Sequence, residues 1–203
     1  MTRPARLLSL VLLLALPLAG AESPPLRVMI ESGSQPFSFT NAQGRPDGFA
    51  VALFREVAAH QDLRVEFDIR PWQEVYAEFQ QGRGDVLGLV AWSEERARVM
   101  DFSVPFEKLI GGLYRHRDGP EIRTIADLAG KRVAVIKNAL TDEYARRQNW
   151  QAQIQPFATF EECLYAVEKG ECDALLGMQI VTEYQTRLRQ LKNIVRCELS
   201  FPE

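Results

Sequence analysis

Residues 91–106 are Ala91-Trp92-Ser93-Glu94-Glu95-Arg96-Ala97-Arg98-Val99-Met100-Asp101-Phe102-Ser103-Val104-Pro105-Phe106. The apolar run at 86–90 comes directly before them and predicts a short buried strand. Ser93 is a typical helix N-cap, which puts Arg96 in the first turn after that strand. Ligands of open α/β sheets bind beyond the carboxyl ends of the strands, and a guanidinium fork suits a carboxylate. We therefore predict that Arg96 holds a carboxylate; a solvated arginine at an exposed helix start is the alternative.

The pattern S-E-E-R at 93–96, followed by D-F-S-x-P-F at 101–106, resembles the signature of bacterial family 3 solute-binding proteins. These are clamshell domains related to the ligand-binding cores of glutamate receptors, and the likeness extends from about Leu26 to Val195. The resemblance implies an α/β fold, the two-lobed type II periplasmic-binding-protein clamshell, in which each lobe is a mostly parallel sheet flanked by helices. It also implies that Arg96 grips the α-carboxylate of an amino-acid ligand, and it implies no cofactor.

The N-terminus predicts a secretory signal peptide over residues 1–21. Arg3 and Arg6 flank the start of an apolar run at 7–16, and Ala19-Gly20-Ala21 supplies an A-x-A cleavage site. The run is shorter than the roughly 20 apolar residues of a membrane span, and no later segment approaches that length. We expect a periplasmic mature protein that does not insert into the membrane. The formal net charge is −3, and no basic run predicts nucleic-acid binding.

Three cysteines, Cys163, Cys172 and Cys197, make an odd count, so at least one is free or paired with another chain. None has the spacing of a metal ligand. Cys163 lies among apolar residues on a predicted helix. That position favours a small buried packing residue over a disulfide with Cys172.

Two successive strand-helix-strand-helix-strand patterns predict two similar α/β lobes, at 22–112 and 113–203. Turns of the form G-x-x-D, at 82–85 and 170–173, precede the last strand of each pattern. An extended crossing at 109–114 joins the lobes. Two lobes joined in this way have a cleft between them, and small molecules preferentially bind in such clefts. The predicted elements are strands at 26–30, 64–69, 86–90, 131–136, 152–156 and 173–176, a hairpin around 41–48, and helices at 49–60, 72–81, 141–148 and 159–169.

In the family that this chain resembles, the chain returns from the second lobe and adds a strand and helices that complete the sheets. This sequence ends at Phe201-Pro202-Glu203, where that return is expected to begin. We expect a second lobe that stops before the crossing. Either the chain is truncated or partner segments supply the rest, and exposed sheet edges would then favour association.

The resemblance places further residues in the cleft. Trp72 matches an aromatic that stacks on the ligand, with packing at a helix start as the alternative. Glu31 matches an acidic position that contacts a ligand amino group or orients its neighbours, with a solvated loop acid as the alternative. Trp92 could form a second aromatic wall or pack in the core. The predicted ligand-binding set is Arg96, Trp72, Glu31, Ser93, Ala91, Trp92, Asn138, Ala139 and Met178.

Three positions depart from the family's pattern. Met178 stands where amino-acid carriers usually have an aspartate for the α-ammonium, 138–140 is Asn-Ala-Leu in place of Gly-Thr-Thr, and Ala91 replaces a threonine-like hydroxyl. An ammonium without a carboxylate partner loses its water at a cost of several kcal/mol. The departures therefore favour a carboxylate or another polar ligand that lacks an α-ammonium. They also make the chain look more like a sensor domain that precedes a kinase or cyclase than like a transport carrier.

These observations predict a solute-binding protein that closes on a small ligand, with an ABC permease or a membrane sensor kinase as its partner. Two alternatives remain. One is a periplasmic enzyme on the same fold, similar to dehydratases or lytic transglycosylases, in which Glu31 or Glu183 acts as acid or base. The other is a degenerate domain that binds nothing. The motifs G-x-S-x-G, H-E-x-x-H and C-x-x-C are absent from the sequence.

Overall fold

The computed structural model describes residues 23–199, so the predicted signal peptide lies outside the described residues. The strands are β1 (Leu26–Glu31), β2 (Gly33–Ser34), β3 (Ser38–Thr40), β4 (Pro46–Asp47), β5 (Val65–Arg70), β6 (Val86–Gly88), β7 (Gly111–His116), β8 (Arg132–Ile136), β9 (Gln153–Phe157), β10 (Ala174–Met178) and β11 (Ile194–Arg196). The helices are α1 (Phe49–His60), α2 (Trp72–Gln80), α3 (Leu140–Arg147), α4 (Phe160–Glu168) and α5 (Gln179–Leu188). Short 3-10 turns occupy Arg96–Arg98 and Ile125–Leu128.

The strands form two main sheets, one in each lobe. In lobe 1, which contains β1 to β6, the parallel sheet has the order β5-β1-β6, and β2, β3 and β4 form a separate small antiparallel sheet. In lobe 2, which contains β7 to β11, the order is β11-β7-β10-β8-β9. There β9, β8 and β10 run parallel, and β7 pairs antiparallel with both of its neighbours, β10 and β11. The predicted two-lobed α/β fold is confirmed.

Local sequence explains where the first helix starts. Gly48 has a φ of 112°, a backbone conformation that side chains with a Cβ rarely adopt. A Cβ there would also lie 2.6 Å from the Phe37 carbonyl carbon. The chain can therefore pass tightly beneath the hairpin into α1, whose buried residues Ala50, Val51 and Ala58 face the sheet.

The segment after Arg96 differs from the prediction. Arg96 begins a single 3-10 turn and not an α-helix, and residues 99–110 form neither helix nor strand. Pro105 contributes to this outcome, since it has no N–H for an intrahelical bond. The predicted extended crossing becomes β7, which pairs with β10 and β11 in the lobe 2 sheet.

The cysteines all lie in lobe 2. Cys163, Cys172 and Cys197 are buried and free, so Cys163 has the packing role predicted for it. Burial raises the pKa of Cys172 and of Cys197 to about 11. These thiols therefore remain protonated at neutral pH and are poor nucleophiles.

Candidate functional site: an arginine between the two lobes

Arg96 is buried where the two lobes meet. Its backbone N–H donates to Ser93 Oγ at 3.3 Å, which is the contact that the predicted cap requires. Its Nη1 donates to the Ala91 carbonyl oxygen at 3.2 Å, so the chain just before the turn fixes the guanidinium. The side chain is only 2% exposed. The alternative of a solvated arginine is therefore wrong.

Two aromatic rings on α2 form one wall of the arginine site. Trp72 and Tyr76 lie one helical turn apart, and their rings stack with centroids 4.8 Å apart. The Arg96 Cζ lies 5.2 Å from the Trp72 centroid and 5.3 Å from the Tyr76 centroid. At these distances the faces of both rings attract the cation. Trp72 thus stacks beside the guanidinium.

The opposite wall comes from lobe 2, at the start of α3. The Asn138 carbonyl oxygen accepts bonds from Trp72 Nε1 at 3.0 Å and from Arg96 Nη2 at 3.4 Å. Asn138 has a φ of 59°, and its N–H donates to Asp142 Oδ2 at 3.0 Å, which holds that carbonyl in place. Ala139 packs against the apolar cluster that contains Trp72. The structure therefore brings six of the predicted residues together: Ala91, Ser93, Arg96, Trp72, Asn138 and Ala139.

Glu143 of lobe 2 completes the arrangement. Its Oε1 lies 2.8 Å from Arg96 Nη2, and its Oε2 lies 3.6 Å from Arg147 Nη2. The position that a ligand carboxylate would take on Arg96 is thus partly filled by a carboxylate of the protein itself. An ion pair that joins the two lobes in this way stabilises their closed arrangement.

Further contacts close the gap on either side of Arg96. Gln73 Nε2 lies 3.5 Å from the Phe157 carbonyl oxygen and 3.4 Å from that of Ala158. Gln185 of α5 donates to the Gly33 carbonyl oxygen of lobe 1 at 2.5 Å. Phe37 of lobe 1 is buried in a hydrophobic cluster formed mainly by lobe 2. The lobes therefore touch on both sides of Arg96.

The remaining predicted residues lie in other surroundings. Glu31, at the end of β1, accepts a hydrogen bond from Ser34 Oγ at 2.7 Å; desolvation raises its pKa, and this bond partly offsets the rise. Met178 packs against the larger lobe 2 cluster. Trp92 is 60% exposed, so the alternative that it packs in the core is wrong. Glu183 pairs with Arg187 on α5, with their charged atoms 3.6 Å apart.

Sequence reasoning missed Tyr76 and Glu143. The spacing of four residues between Trp72 and Tyr76 on a predicted helix was a usable signal for the first. No local signal marks Glu143, because its partner is 47 positions away in the other lobe. Only the closed arrangement of the lobes brings the two charges together.

Residues 23–199 contain neither a cluster of metal-binding side chains nor a helix that could span a membrane. No three side chains of His, Cys, Asp or Glu converge there in a group that could hold a metal ion. Within the same range, no helix has the length and apolar character that crossing a bilayer requires.

The fold and the interlobe arginine define a two-lobed binding-protein domain. Residues 26–137 match the family model of "Bacterial extracellular solute-binding proteins, family 3". The chain belongs to this family. The resemblance stated from the sequence is thereby confirmed.

Individual relatives fall into two groups. The chain is 30% identical over 155 residues to the L-cystine-binding protein TcyJ of Escherichia coli strain K12, which covers 74% of this chain and 58% of that protein. It is 24% identical over 166 residues to the virulence sensor protein BvgS of Bordetella pertussis strain Tohama I, covering 81% of this chain and 13% of that protein. The chain thus spans less than two thirds of the first relative's length and about an eighth of the second's.

Solved structures show the same fold. A histidine kinase sensor domain with similarity to periplasmic binding proteins matches with a TM-score of 0.83 and 28% identity, covering 88% of this chain and 78% of that one. An ancestral arginine-binding protein bound to arginine matches with a TM-score of 0.80 and 22% identity, covering 88% and 80%. Solute-binding proteins and sensor proteins are therefore both among the proteins similar to this chain.

Proposed function

We propose that the chain captures a small carboxylate-bearing solute between its lobes and that Arg96 grips the carboxylate. One observation carries the proposal: a guanidinium that is 2% exposed lies against two aromatic rings of its own lobe and the start of α3 in the other. A buried cation requires a partner of opposite charge, and Glu143 of lobe 2 meets this need through one oxygen, leaving Arg96 Nε without a hydrogen-bond partner among the described residues. A carboxylate supplies that charge and matches the geometry of the guanidinium fork.

In the proposed function, closure of the lobes is the conformational change that signals ligand binding. A ligand that contacts both lobes binds the closed state more tightly than the open one, and therefore shifts the population toward closure. In the proposed role, an ABC permease or a membrane sensor kinase recognises the closed state. The same proposal includes secretion of the chain to the periplasm. It also places the boundary between the lobes near residue 112.

The similarity to a histidine kinase sensor domain supports the sensor role as the second candidate. The likeness to TcyJ, which is named for the L-cystine that it binds, supports the solute-binding role. In either role, the ligand is read through the same interlobe contacts. The two roles differ in the partner and not in the chemistry of Arg96.

The experiment is a thermal-shift screen of small acids on the purified mature protein. A ligand at 100 times its Kd adds about 2.7 kcal/mol of stability, and about 2–4 °C per kcal/mol is typical of a chain of this size. We expect a hit among carboxylates, and we expect Arg96→Ala to abolish its shift. Acids that lack an α-amino group are expected to bind better than common amino acids, since Met178 replaces the usual aspartate.

Arg98→Ala is the matched control, because Arg98 is exposed on the same 3-10 turn. It should leave the ligand-induced shift intact. A shift that survives in Arg96→Ala would remove Arg96 from the site. Tight binding of a common amino acid would overturn the preference for acids without an ammonium.

A further inference from the structure

The Arg96 guanidinium already holds a carboxylate, and that carboxylate belongs to the opposite lobe. Glu143 Oε1 lies 2.8 Å from Arg96 Nη2. The other interlobe hydrogen bonds of Arg96 and Trp72 are donated to a neutral acceptor, the Asn138 carbonyl oxygen. Among the described residues, Arg96 and Glu143 thus form an ion pair across this interface.

This contact leaves hydrogen-bonding capacity unused. Arg96 Nε is buried and has no hydrogen-bond partner among the described residues, and the same holds for Glu143 Oε2. A bound carboxylate usually meets a guanidinium through two parallel bonds, which are stronger than one. Glu143 thus satisfies Arg96 less completely than a free carboxylate in the same position could.

The pair also couples the charge of Arg96 to closure. In the closed state Arg96 is 2% exposed, and Glu143 is 23% exposed. Removing one member of a buried ion pair leaves the other charge desolvated and uncompensated, which is strongly unfavourable. The closed state is therefore less stable when no carboxylate is bound to Arg96.

We propose that Glu143 is an internal carboxylate that closes the lobes in the absence of solute, and that a solute carboxylate must displace it from Arg96. This proposal rests on the proposed function only for the displacement step. Closure by Glu143 requires no solute. The position of Glu143 at the start of α3 allows the exchange, because it is the less buried member of the pair and has Arg147 as a second partner.

The test measures the distance between the lobes without any added solute. Spin labels are attached through Glu56→Cys on α1 and Lys169→Cys after α4, which are both exposed. The native cysteines are buried. We expect one narrow short-distance population in the labelled parent protein. In Glu143→Gln, the closed-to-open ratio should fall tenfold or more.

Glu161→Gln is the matched control. Glu161 forms an ion pair with Arg189, with charged atoms 3.5 Å apart, within lobe 2. Its loss should leave the distance distribution unchanged. An open parent protein, a Glu143→Gln variant as closed as its parent, or equal opening in Glu161→Gln would each overturn the proposal.

Chemical rescue tests the displacement step. Sodium acetate added to Glu143→Gln should restore the short distance, and sodium chloride at the same ionic strength should not. Failure of acetate to close an open Glu143→Gln variant would contradict displacement. The proposed function fails in a different way, when no acid shifts the melting temperature of the parent protein, whatever the labels show.

Discussion

The two lobes repeat one local design, with different amounts of structure around it. In lobe 1 the Arg27 backbone N–H donates to Asp85 Oδ2 at 2.8 Å, and in lobe 2 Arg132 donates to Asp173 Oδ2 at 2.8 Å. The parallel trio β5-β1-β6 thus corresponds to β9-β8-β10. Lobe 2 adds β7 and β11 beside β10, whereas among the described residues β6 pairs only with β1. The comparison shows which part of the fold is common to both lobes.

At two matching pairs of positions, the lobes place the larger side chain differently. We call this difference the volume exchange. Met29 on β1 corresponds to Ala134 on β8, and Gly84 in the first turn corresponds to Cys172 in the second. A Cβ at Gly84 would overlap the Met29 side chain, with Met29 Cγ at 2.7 Å. In lobe 2 the small Ala134 leaves room for buried Cys172 in the same cluster. In lobe 1 the larger side chain of this pair of positions is on the strand, at Met29, and in lobe 2 it is in the turn, at Cys172.

The largest expected effect compares the last strand of each trio. Leu175 on β10 corresponds to Leu87 on β6, and Leu175 is fully buried whereas Leu87 is 8% exposed. We expect Leu175→Ala to cost about 3–5 kcal/mol and Leu87→Ala about 2–3 kcal/mol, since the more enclosed site leaves the larger cavity. Urea unfolding of both variants measures the difference. A larger cost for Leu87→Ala would contradict this ranking.

The volume exchange predicts an intermediate effect. Gly84→Cys should cost about 1–3 kcal/mol, because the added side chain overpacks against Met29. The double variant, Gly84→Cys with Met29→Ala, should lose less free energy of unfolding than the two single variants lose together. The difference should be about 1–2 kcal/mol. A double-mutant cycle by chemical denaturation measures this coupling. The mirror pair Cys172→Gly and Ala134→Met is the control in lobe 2, and additive costs in both lobes would refute the exchange.

The smallest expected effect concerns the repeated aspartates. Asp173 accepts bonds from the Arg132 backbone N–H, Nε and Nη2, whereas Asp85 is exposed and accepts from the Arg27 N–H. Asp173→Asn should cost about 1–2 kcal/mol and Asp85→Asn less than about 1 kcal/mol. Thermal melts of the two variants check the order.

The same substitution has a pH dependence with a definite sign. Hydrogen bonding to the Arg132 side chain is the main reason that the pKa of Asp173 is lowered from its ordinary 3.8. The ionised Asp173 carboxylate contributes stability above pH 3.8. This contribution is lost as the pH falls through the lower pKa of Asp173 in the native state. The gap between the parent protein and Asp173→Asn should therefore be widest near neutral pH and close in acid. A gap that widens in acid would contradict this assignment.

Much of the fold could be predicted because its signals are local. The apolar spacing gave α1 to the residue, and the two G-x-x-D turns located the last strand of each trio. The sequence predicts a helix start at Arg96 where the structure has a single 3-10 turn, because a cap residue alone does not determine how far a helix continues. The pairing of β7 with β10 and β11 was also missed, because strand partners distant in sequence leave no periodic trace.

The candidate site was predictable in part for the same reason. Arg96, Ser93 and Ala91 are neighbours in sequence, and Trp72 begins a helix after a strand end. Glu143 and the Asn138 carbonyl reach Arg96 only through the relative position of the lobes. A long-range arrangement of this kind depends on the summed packing of both interfaces, which no single stretch of sequence specifies.

The Phe37 ring has a thermodynamic consequence of its own. It belongs to the hairpin of lobe 1, yet it is buried among the side chains of Phe160, Leu164 and other members of the largest lobe 2 cluster. Unfolding of either lobe would separate the Phe37 ring from the lobe 2 cluster and expose apolar surface on the lobe that is still folded. The two lobes therefore form one cooperative unit, and heat should be absorbed in a single calorimetric peak.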